Sequence, residues 1–495
     1  MKKIFLCVLS AILIILSFPK TSFWFLSWIS LVPLFLVIQN EKPRKAFVYG
    51  TLTGFVAYCG ILYWLIPTFS AAGEPKIIGI IVLLLLALYL ASYYGIFCFL
   101  YSLYPIPYTL YPAFVWVSLE FLRTHLFTGF PWALLGYSQW NFLPIIQISE
   151  FTGIYGVSFL IIFVNLAFAK ILIEKKKTLS LYHFITLSLV LFSLIFGLYK
   201  LKNIRTLEHQ NIRTVSILQG NIDQYKKWDE KYEQEIIDTY THLSISPSLH
   251  LSISDLIVWP ESAVPGYLRN DLKIYPWISQ LAKKTKTQHL VASIDFKHNK
   301  LYNSAFLVSA DGQIIDEYSK NHLVPFGEYI PLRNFLGKFI KVVNEIGEFS
   351  ADKKYNVINS SAGKLGVNIC FEAIFANEIR KSVKNGAEII VNLTNDGWYL
   401  KTSAPYQHFT MNVFRAVENR RYVVRAANTG ISCFIEPSGR IKKKTEIFTT
   451  TTLTDSIQPI NYLTFYTSFG DIFAYFCIII LIITCFFYFF VYNKK

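Results

Sequence analysis

Long apolar runs alternate along the chain with one extended polar stretch. The apolar runs fall near 4–18, 22–39, 46–67, 77–104, 112–127, 151–173, 181–199 and 472–492. Most are long enough as helices to cross a hydrocarbon core of ~30 Å. Between the seventh and eighth runs the pattern changes. Short β-rich runs at 215–218, 256–259, 290–294, 305–308, 365–370, 389–391 and 432–435 alternate with helical stretches near 229–243, 271–286, 374–385 and 405–419. That alternation predicts an α/β layered fold. The expected organisation is a membrane domain of about seven transmembrane helices over 1–200 and an α/β domain over 212–450. The polar, charged segment 201–213 links them, and a C-terminal transmembrane helix covers 471–493.

Composition agrees with the pattern. Hydrophobic residues make up 53% of the chain and the mean hydropathy is +0.39, more than a soluble globular chain carries. The opening Met1-Lys2-Lys3 and the apolar stretch behind it have the form of a secretory signal. No small-residue cleavage site precedes Pro19, so the segment reads as a retained first span.

Charge then orients the spans. Lys and Arg cluster at Lys2-Lys3, Lys42 to Lys45, Lys175 to Lys177 and Lys494-Lys495. With eight alternating spans all four clusters lie on one side, which the positive-inside rule makes the cytoplasm. The polar domain then faces the opposite side, the periplasm or its equivalent. The net charge of +15 is spread over loop ends and the polar domain, without a basic stripe interleaved with aromatics. Orientation and anionic lipid account for it, and no nucleic-acid partner is expected.

Of the seven cysteines, Cys7, Cys59, Cys98, Cys477 and Cys485 lie in apolar runs, where they read as small packing residues. Cys370 and Cys433 belong to the polar domain, and Cys433 sits in the apolar run 431–435, so it reads as core. Two segments there share one form, an apolar strand that stops at a reactive group. Leu256-Ile257-Val258-Trp259-Pro260 leads to Glu261, and Leu365-Gly366-Val367-Asn368-Ile369 leads to Cys370. Strand ends are where α/β sheets assemble ligand sites, and a strand-to-helix turn can expose a thiol and favour its thiolate. Lys320 follows Tyr318-Ser319. Taken singly, these read as a strand-end acid, a buried thiol and a surface lysine. Together they supply a base, a nucleophile and a cation for an oxyanion, the parts of an acyl transfer through a thiol.

The order and contexts of these residues, with Leu218-Gln219-Gly220-Asn221, the long stretch from Leu323 to Leu332 that includes Pro325-Phe326-Gly327-Glu328, Asn392 to Tyr399, and Arg425 to Ile431, resemble the carbon-nitrogen hydrolase (nitrilase) superfamily. Thr128-Gly129-Phe130-Pro131-Trp132 and the preceding spans extend the resemblance over the whole chain, to the bacterial apolipoprotein N-acyltransferase family. It implies an α-β-β-α sandwich carried outside the cytoplasm by a multi-span helical membrane protein. It implies Glu261 as base, Lys320 as oxyanion stabiliser and Cys370 as nucleophile. Glu328, Glu372 and Asn303 would support them, with Trp228 on a mobile substrate loop. The implied reaction is ping-pong: the sn-1 acyl chain of a phospholipid, typically phosphatidylethanolamine, passes through a thioester to the α-amino group of an S-diacylglyceryl cysteine on an apolipoprotein. No metal or cofactor is implied. Where many relatives have tyrosine after the nucleophile, this chain has Phe371, so no hydroxyl stands there.

Two further features concern lipid. Leu332, Phe335, Leu336, Phe339, Val343 and Ile346 recur at helical spacing, with Arg333, Lys338 and Lys341 elsewhere around the helix. Such a basic amphipathic segment is expected to dip into the membrane interface and gate lipid entry, or to pack on the domain. Glu120, Arg123 and His125 stand close together at the end of the fifth run, either holding a headgroup or the polar domain, or ending a helix at the interface. Rival readings of the whole are a membrane-tethered amidase that releases the acyl group to water, and a receptor whose polar domain only binds ligand.

Overall fold

The computed structural model describes residues 1–103, 111–174, 181–204, 211–224, 226–227, 229–250, 254–330 and 348–492. The chain divides into two compact units. One holds Met1–Ile204, Tyr399–Glu418 and Thr464–Lys495, and the other holds Arg205–Trp398 and Asn419–Leu463.

The first unit is helical. Helices Lys2–Ser17, Pro43–Ile61, Lys76–Leu103, Tyr111–His125, Ile154–Glu174, Leu181–Asn203 and Ile472–Tyr492 form where the sequence has apolar runs. The run 22–39 is different, for it breaks into a 3-10 turn at Trp24–Trp28 and a short helix at Val32–Ile38. Ser22 has a positive φ, and Pro33, which donates no backbone N–H, opens the second piece. Helices Lys76–Leu103, 154–173 and Leu181–Asn203 are long and apolar enough to cross a membrane. Pro43–Ile61 with Leu65–Ala71, bent by 44°, makes a fourth if the pair is one span. Pro43–Ile61 packs against Lys76–Leu103 through glycine: a Cβ on Gly50 would lie 2.5 Å from the Tyr94 carbonyl oxygen. Small residues at such crossings let two apolar helices approach closely.

The second unit is a sandwich of two six-stranded sheets. The first sheet contains β1 (Arg213–Gln219), β2 (Leu256–Val258), β3 (Gln288–Lys297), β4 (Lys300–Val308) and β5 (Ile314–Ser319). The second contains β6 (Ile358–Ser360), β7 (Gly363–Ile369), β8 (Ile389–Thr394), β9 (Tyr422–Ala427), β10 (Cys433–Ile435) and β11 (Ile441–Lys444). The last strand, β12 (Thr451–Ile457), returns to the first sheet, beyond the boundary at 450 that composition suggests, and pairs antiparallel with β1. The orders are β12-β1-β2-β3-β4-β5 and β11-β10-β9-β8-β7-β6. Each sheet has a parallel centre, β1-β2-β3 or β7-β8-β9.

Alternation sorts the side chains into layers. Val215, Ile217, Leu256, Val258 and Leu290 of one sheet share a core with Leu365, Val367, Ile369, Ile389 and Val391 of the other. The opposite face of the first sheet, including Ile257, Trp259 and Val291, packs on Ile236 and Tyr240 of helix Glu233–His250 and on Ile278 and Leu281 of helix Ile274–Thr285. Burial on both faces explains why the central strands read as continuous apolar runs.

Candidate active site

Four candidate site residues begin where a strand stops. Trp259-Pro260-Glu261 follows β2, Lys320 follows β5, Cys370 follows β7, and Asn395 follows β8. Apolar side chains fix each strand in the double core, and the first polar residue past the end emerges at one rim of the sandwich.

Cys370 begins a 3-10 turn, Cys370–Ile374, with φ of +53°. A left-handed conformation at a residue with a side chain costs about 1 kcal/mol or more, and it turns the sulfur away from the line of its strand. The thiol is buried. Burial foremost, then the Glu261 charge, push it above the ordinary cysteine range, against the Lys320 charge and a hydrogen bond with Thr394. At rest the sulfur therefore carries its proton, beside a carboxylate able to take it.

Glu261 is held at both oxygens: Oε1 accepts from Asn303 Nδ2 at 2.8 Å, and Oε2 from the backbone N–H of Asn395 at 2.8 Å. Lys320 is buried, its Nζ 2.9 Å from both Glu328 oxygens. Burial opposes its charge, but Glu328, then Glu261 and Cys370, outweigh that and hold it above the ordinary lysine range. It is a fixed ammonium. Glu328 also accepts from Asn303 Nδ2 at 3.1 Å and from the Val324 N–H at 2.8 Å, so Asn303 bridges the two carboxylates.

Glu372 joins the strand of the lysine to the strand of the cysteine. Tyr318 Oη donates to both of its oxygens at 2.9 Å, the Asn321 and His322 N–H groups donate at 2.6 and 3.1 Å, and the Ile369 N–H donates at 2.6 Å. Burial first, then the Glu378 charge, raise its pKa to about 7, against the Ile369 and Asn321 hydrogen bonds and the Lys320 charge.

The amino-terminal part of the chain, residues 10–167, matches the family described as "Apolipoprotein N-acyltransferase N-terminal domain". Residues 214–461 match "Carbon-nitrogen hydrolase". An "Apolipoprotein N-acyltransferase" of Geobacter metallireducens is 40% identical over 96% of this chain and 92% of its own length. The chain belongs to the apolipoprotein N-acyltransferase family. A relative of the same description from Pasteurella multocida is 31% identical over 94% of this chain and 92% of its own. Among solved structures, Saccharomyces cerevisiae Nit3, a member of the nitrilase superfamily, is 19% identical over 50% of this chain and 91% of its own, with a TM-score of 0.39.

The chain is thus a membrane-associated acyltransferase acting in lipoprotein maturation. Of the residues expected at its site, Glu261, Lys320, Cys370, Asn303, Glu328 and Glu372 come together in one hydrogen-bonded and electrostatic cluster. Trp228 lies outside the described residues, as does the amphipathic segment from Leu332 to Ile346.

Three contributors were not singled out by their side chains in the sequence. Asn395 supplies a backbone N–H to Glu261, and its side chain takes Gly397 N–H and Asn428 Nδ2 as donors. Arg425, wholly buried on β9, pairs with Asp396 at 2.8 Å and with Asn392 Oδ1, which anchors the turn behind Asn395. Lys227 donates from a buried Nζ to the Glu261 carbonyl at 3.2 Å, and burial, against the Glu261 charge, lowers its pKa to about 8. The stretches from Asn392 and from Arg425 carried the family resemblance, which was the available signal for the first two.

Proposed function

We propose that Cys370, Glu261 and Lys320 carry a ping-pong transfer of the sn-1 acyl chain of a phospholipid, phosphatidylethanolamine in the first instance. As Cys370 Sγ attacks the ester carbonyl, Glu261 takes the thiol proton, and the oxyanion is met by the Lys320 ammonium. Collapse expels the lysophospholipid alkoxide, which recovers the proton from Glu261 and leaves a thioester. The α-amino group of an S-diacylglyceryl cysteine then attacks the thioester, gives a proton to Glu261, and releases the thiol. Asn303 and Glu328 position the base and the cation, and Glu372 positions the two strand ends. The observation that carries this reading is a buried thiol whose two strongest charged partners are a carboxylate held at both oxygens and a fixed ammonium. We propose further that about seven helices over 1–200 and one over 471–493 cross the bacterial inner membrane. The 212–450 domain would then face the periplasm, as the distribution of Lys and Arg supports.

The test is to incubate the purified full chain with phosphatidylethanolamine labelled in its sn-1 chain, without acceptor, and to measure intact mass. A hydroxylamine-labile acyl adduct on Cys370 that moves to a diacylglyceryl-cysteine peptide is expected. Release of free fatty acid instead favours a hydrolase, and a reactive thiol that never acquires an acyl group overturns the reading.

A further inference from the structure

Helix Tyr111–His125 of the helical unit presents Trp116, Glu120 and Arg123 at spacings of four and three residues, which is one helical face. All three side chains line one narrow cavity, walled also by Tyr58, Tyr93 and Tyr94. All three are more than nine-tenths buried. Their polar atoms are nevertheless incompletely used. Arg123 Nη1 donates to Tyr58 Oη, whereas Nε and Nη2 find no acceptor. Glu120 Oε1 accepts the Leu135 N–H at 2.8 Å, whereas Oε2 and the Trp116 indole N–H have no partner in normal hydrogen-bond geometry, although the indole and the Ser158 hydroxyl lie close enough to the carboxylate to act on its charge. Among the described residues no carboxylate lies within 4 Å of the guanidinium. A phenol is a neutral partner. A buried guanidinium without a counter-charge, facing a cavity, costs several kcal/mol unless something anionic completes it.

We infer that this face is a binding site for the zwitterionic headgroup of a phospholipid, Arg123 and Trp116 donating to the phosphate and Glu120 accepting from a primary ammonium. The free groups are two guanidinium N–H donors and an indole N–H, against one carboxylate oxygen, and a phosphate joined to an ammonium matches both signs at once. Guanidinium recognition of phosphate through two N–H groups is the stronger half. The carboxylate favours ethanolamine over choline, since a quaternary ammonium has no N–H to satisfy Oε2. The cavity is narrow, so admitting the phosphate requires the tyrosine rings that wall it to turn aside. The inference deepens the donor reading above, and rests on it for the fate of the lipid after binding.

The experiment measures retention of phosphatidylethanolamine, phosphatidylcholine and inorganic phosphate by the delipidated full chain in detergent, using native mass spectrometry. Wild-type protein should retain phosphatidylethanolamine at least tenfold better than phosphatidylcholine. Glu120→Gln should bring the two lipids to the same level, and Arg123→Gln should lower both. Trp116→Phe, close in shape, should lower retention by a smaller factor, and with Glu120→Gln it decides the matter if Arg123→Gln does not fold. Unchanged retention in Glu120→Gln and Trp116→Phe overturns the inference, as does inorganic phosphate held through Arg123 with no retention of lipid. If Cys370 is acylated while these variants bind lipid like wild type, the headgroup site falls and the thioester reading stands. Lipid held through Arg123 without an adduct gives the reverse.

Discussion

Around Cys370, each oxygen of Glu261, Glu328 and Glu372 accepts at least one hydrogen bond, and Lys320 has its carboxylate partner at 2.9 Å. Around Arg123, in the helical unit, two guanidinium nitrogens and one carboxylate oxygen have no partner although they are equally buried. Both regions carry ionisable groups out of water, so both incur desolvation. Only the first pairs its charged groups internally, and the atoms it leaves open, the Asn303 and Asn321 amide oxygens, are neutral. A cluster that is closed on itself is preorganised, with its charges aimed before substrate arrives. A cluster left open is suited to an exchangeable ligand, because the ligand brings the missing partners. On the two proposals above, the comparison sets a part that performs chemistry against a part that binds, and substitutions can probe it from either side.

The largest effect belongs to the sulfur. Cys370→Ala should lower acyl transfer by about 10³-fold or more, since a nucleophile has no substitute within its cluster. Phospholipid retention should stay near that of wild type, because the binding cluster is intact. Loss of retention together with activity would merge the two regions and break the comparison.

Next comes Lys320→Met, which strands Glu261 and Glu328 without their ammonium. Removing one member of a buried ion pair costs about 3–5 kcal/mol of stability, and losing an oxyanion cation lowers the rate by about 10²–10³-fold. A thermal melt beside a single-turnover assay reads both. A variant that melts like wild type would mean that the closed cluster is not the mutually compensated assembly of charges its geometry describes.

Glu372→Gln is smaller and has a pH signature. The amide keeps one acceptor but meets N–H donors with its own NH₂, which leaves unsatisfied groups worth about 1–3 kcal/mol. The folded-state pKa of Glu372, about 7, lies above the ordinary value of 4.5. For a raised carboxyl, stability is fully present below about 4.5 and is lost as pH rises towards 7. The melting temperature of wild type should therefore fall across that window by more than that of Glu372→Gln. Parallel pH profiles would remove Glu372 as the titrating group.

Much of the closed site was legible because its residues interrupt patterns. Glu261 and Cys370 each end an apolar strand, and the double core that fixes those strands is the reason for both the apolar run and its abrupt stop. The strands that went unread carry polar residues whose partners are distant in sequence. β9 contains Arg425, wholly buried only because Asp396 and Asn392 receive it. β5 places acids Asp316 and Glu317 in the strand just before Lys320, and β12, Thr451–Ile457, is a polar edge strand with no apolar run to announce it. Backbone contributions such as the Asn395 N–H have no side-chain signature at all. In the helical unit, the sequence groups Glu120, Arg123 and His125, and the first two line one cavity. His125 is exposed and closes on the Phe121 carbonyl at 2.8 Å, whereas Trp116, one turn back from Glu120, shares the cavity. Proximity in sequence suggested the histidine, but helical periodicity selects the tryptophan.

The smallest expected effect is the most discriminating. Arg123→Met replaces an incompletely partnered buried cation with an apolar side chain of similar length. Substitutions of that kind are neutral or stabilising, because desolvation of the charge disappears and few hydrogen bonds are lost. In detergent without lipid, the melting temperature of Arg123→Met should thus equal or slightly exceed that of wild type, the opposite of Lys320→Met. Added phosphatidylethanolamine should reverse the order. A ligand that binds only the folded state stabilises it by about 2.7 kcal/mol at a hundred times its dissociation constant, and wild type alone should gain this. Should Arg123→Met melt well below wild type without lipid, the guanidinium would be serving the fold in the manner of Lys320, and the contrast between a closed cluster and an open one would not hold.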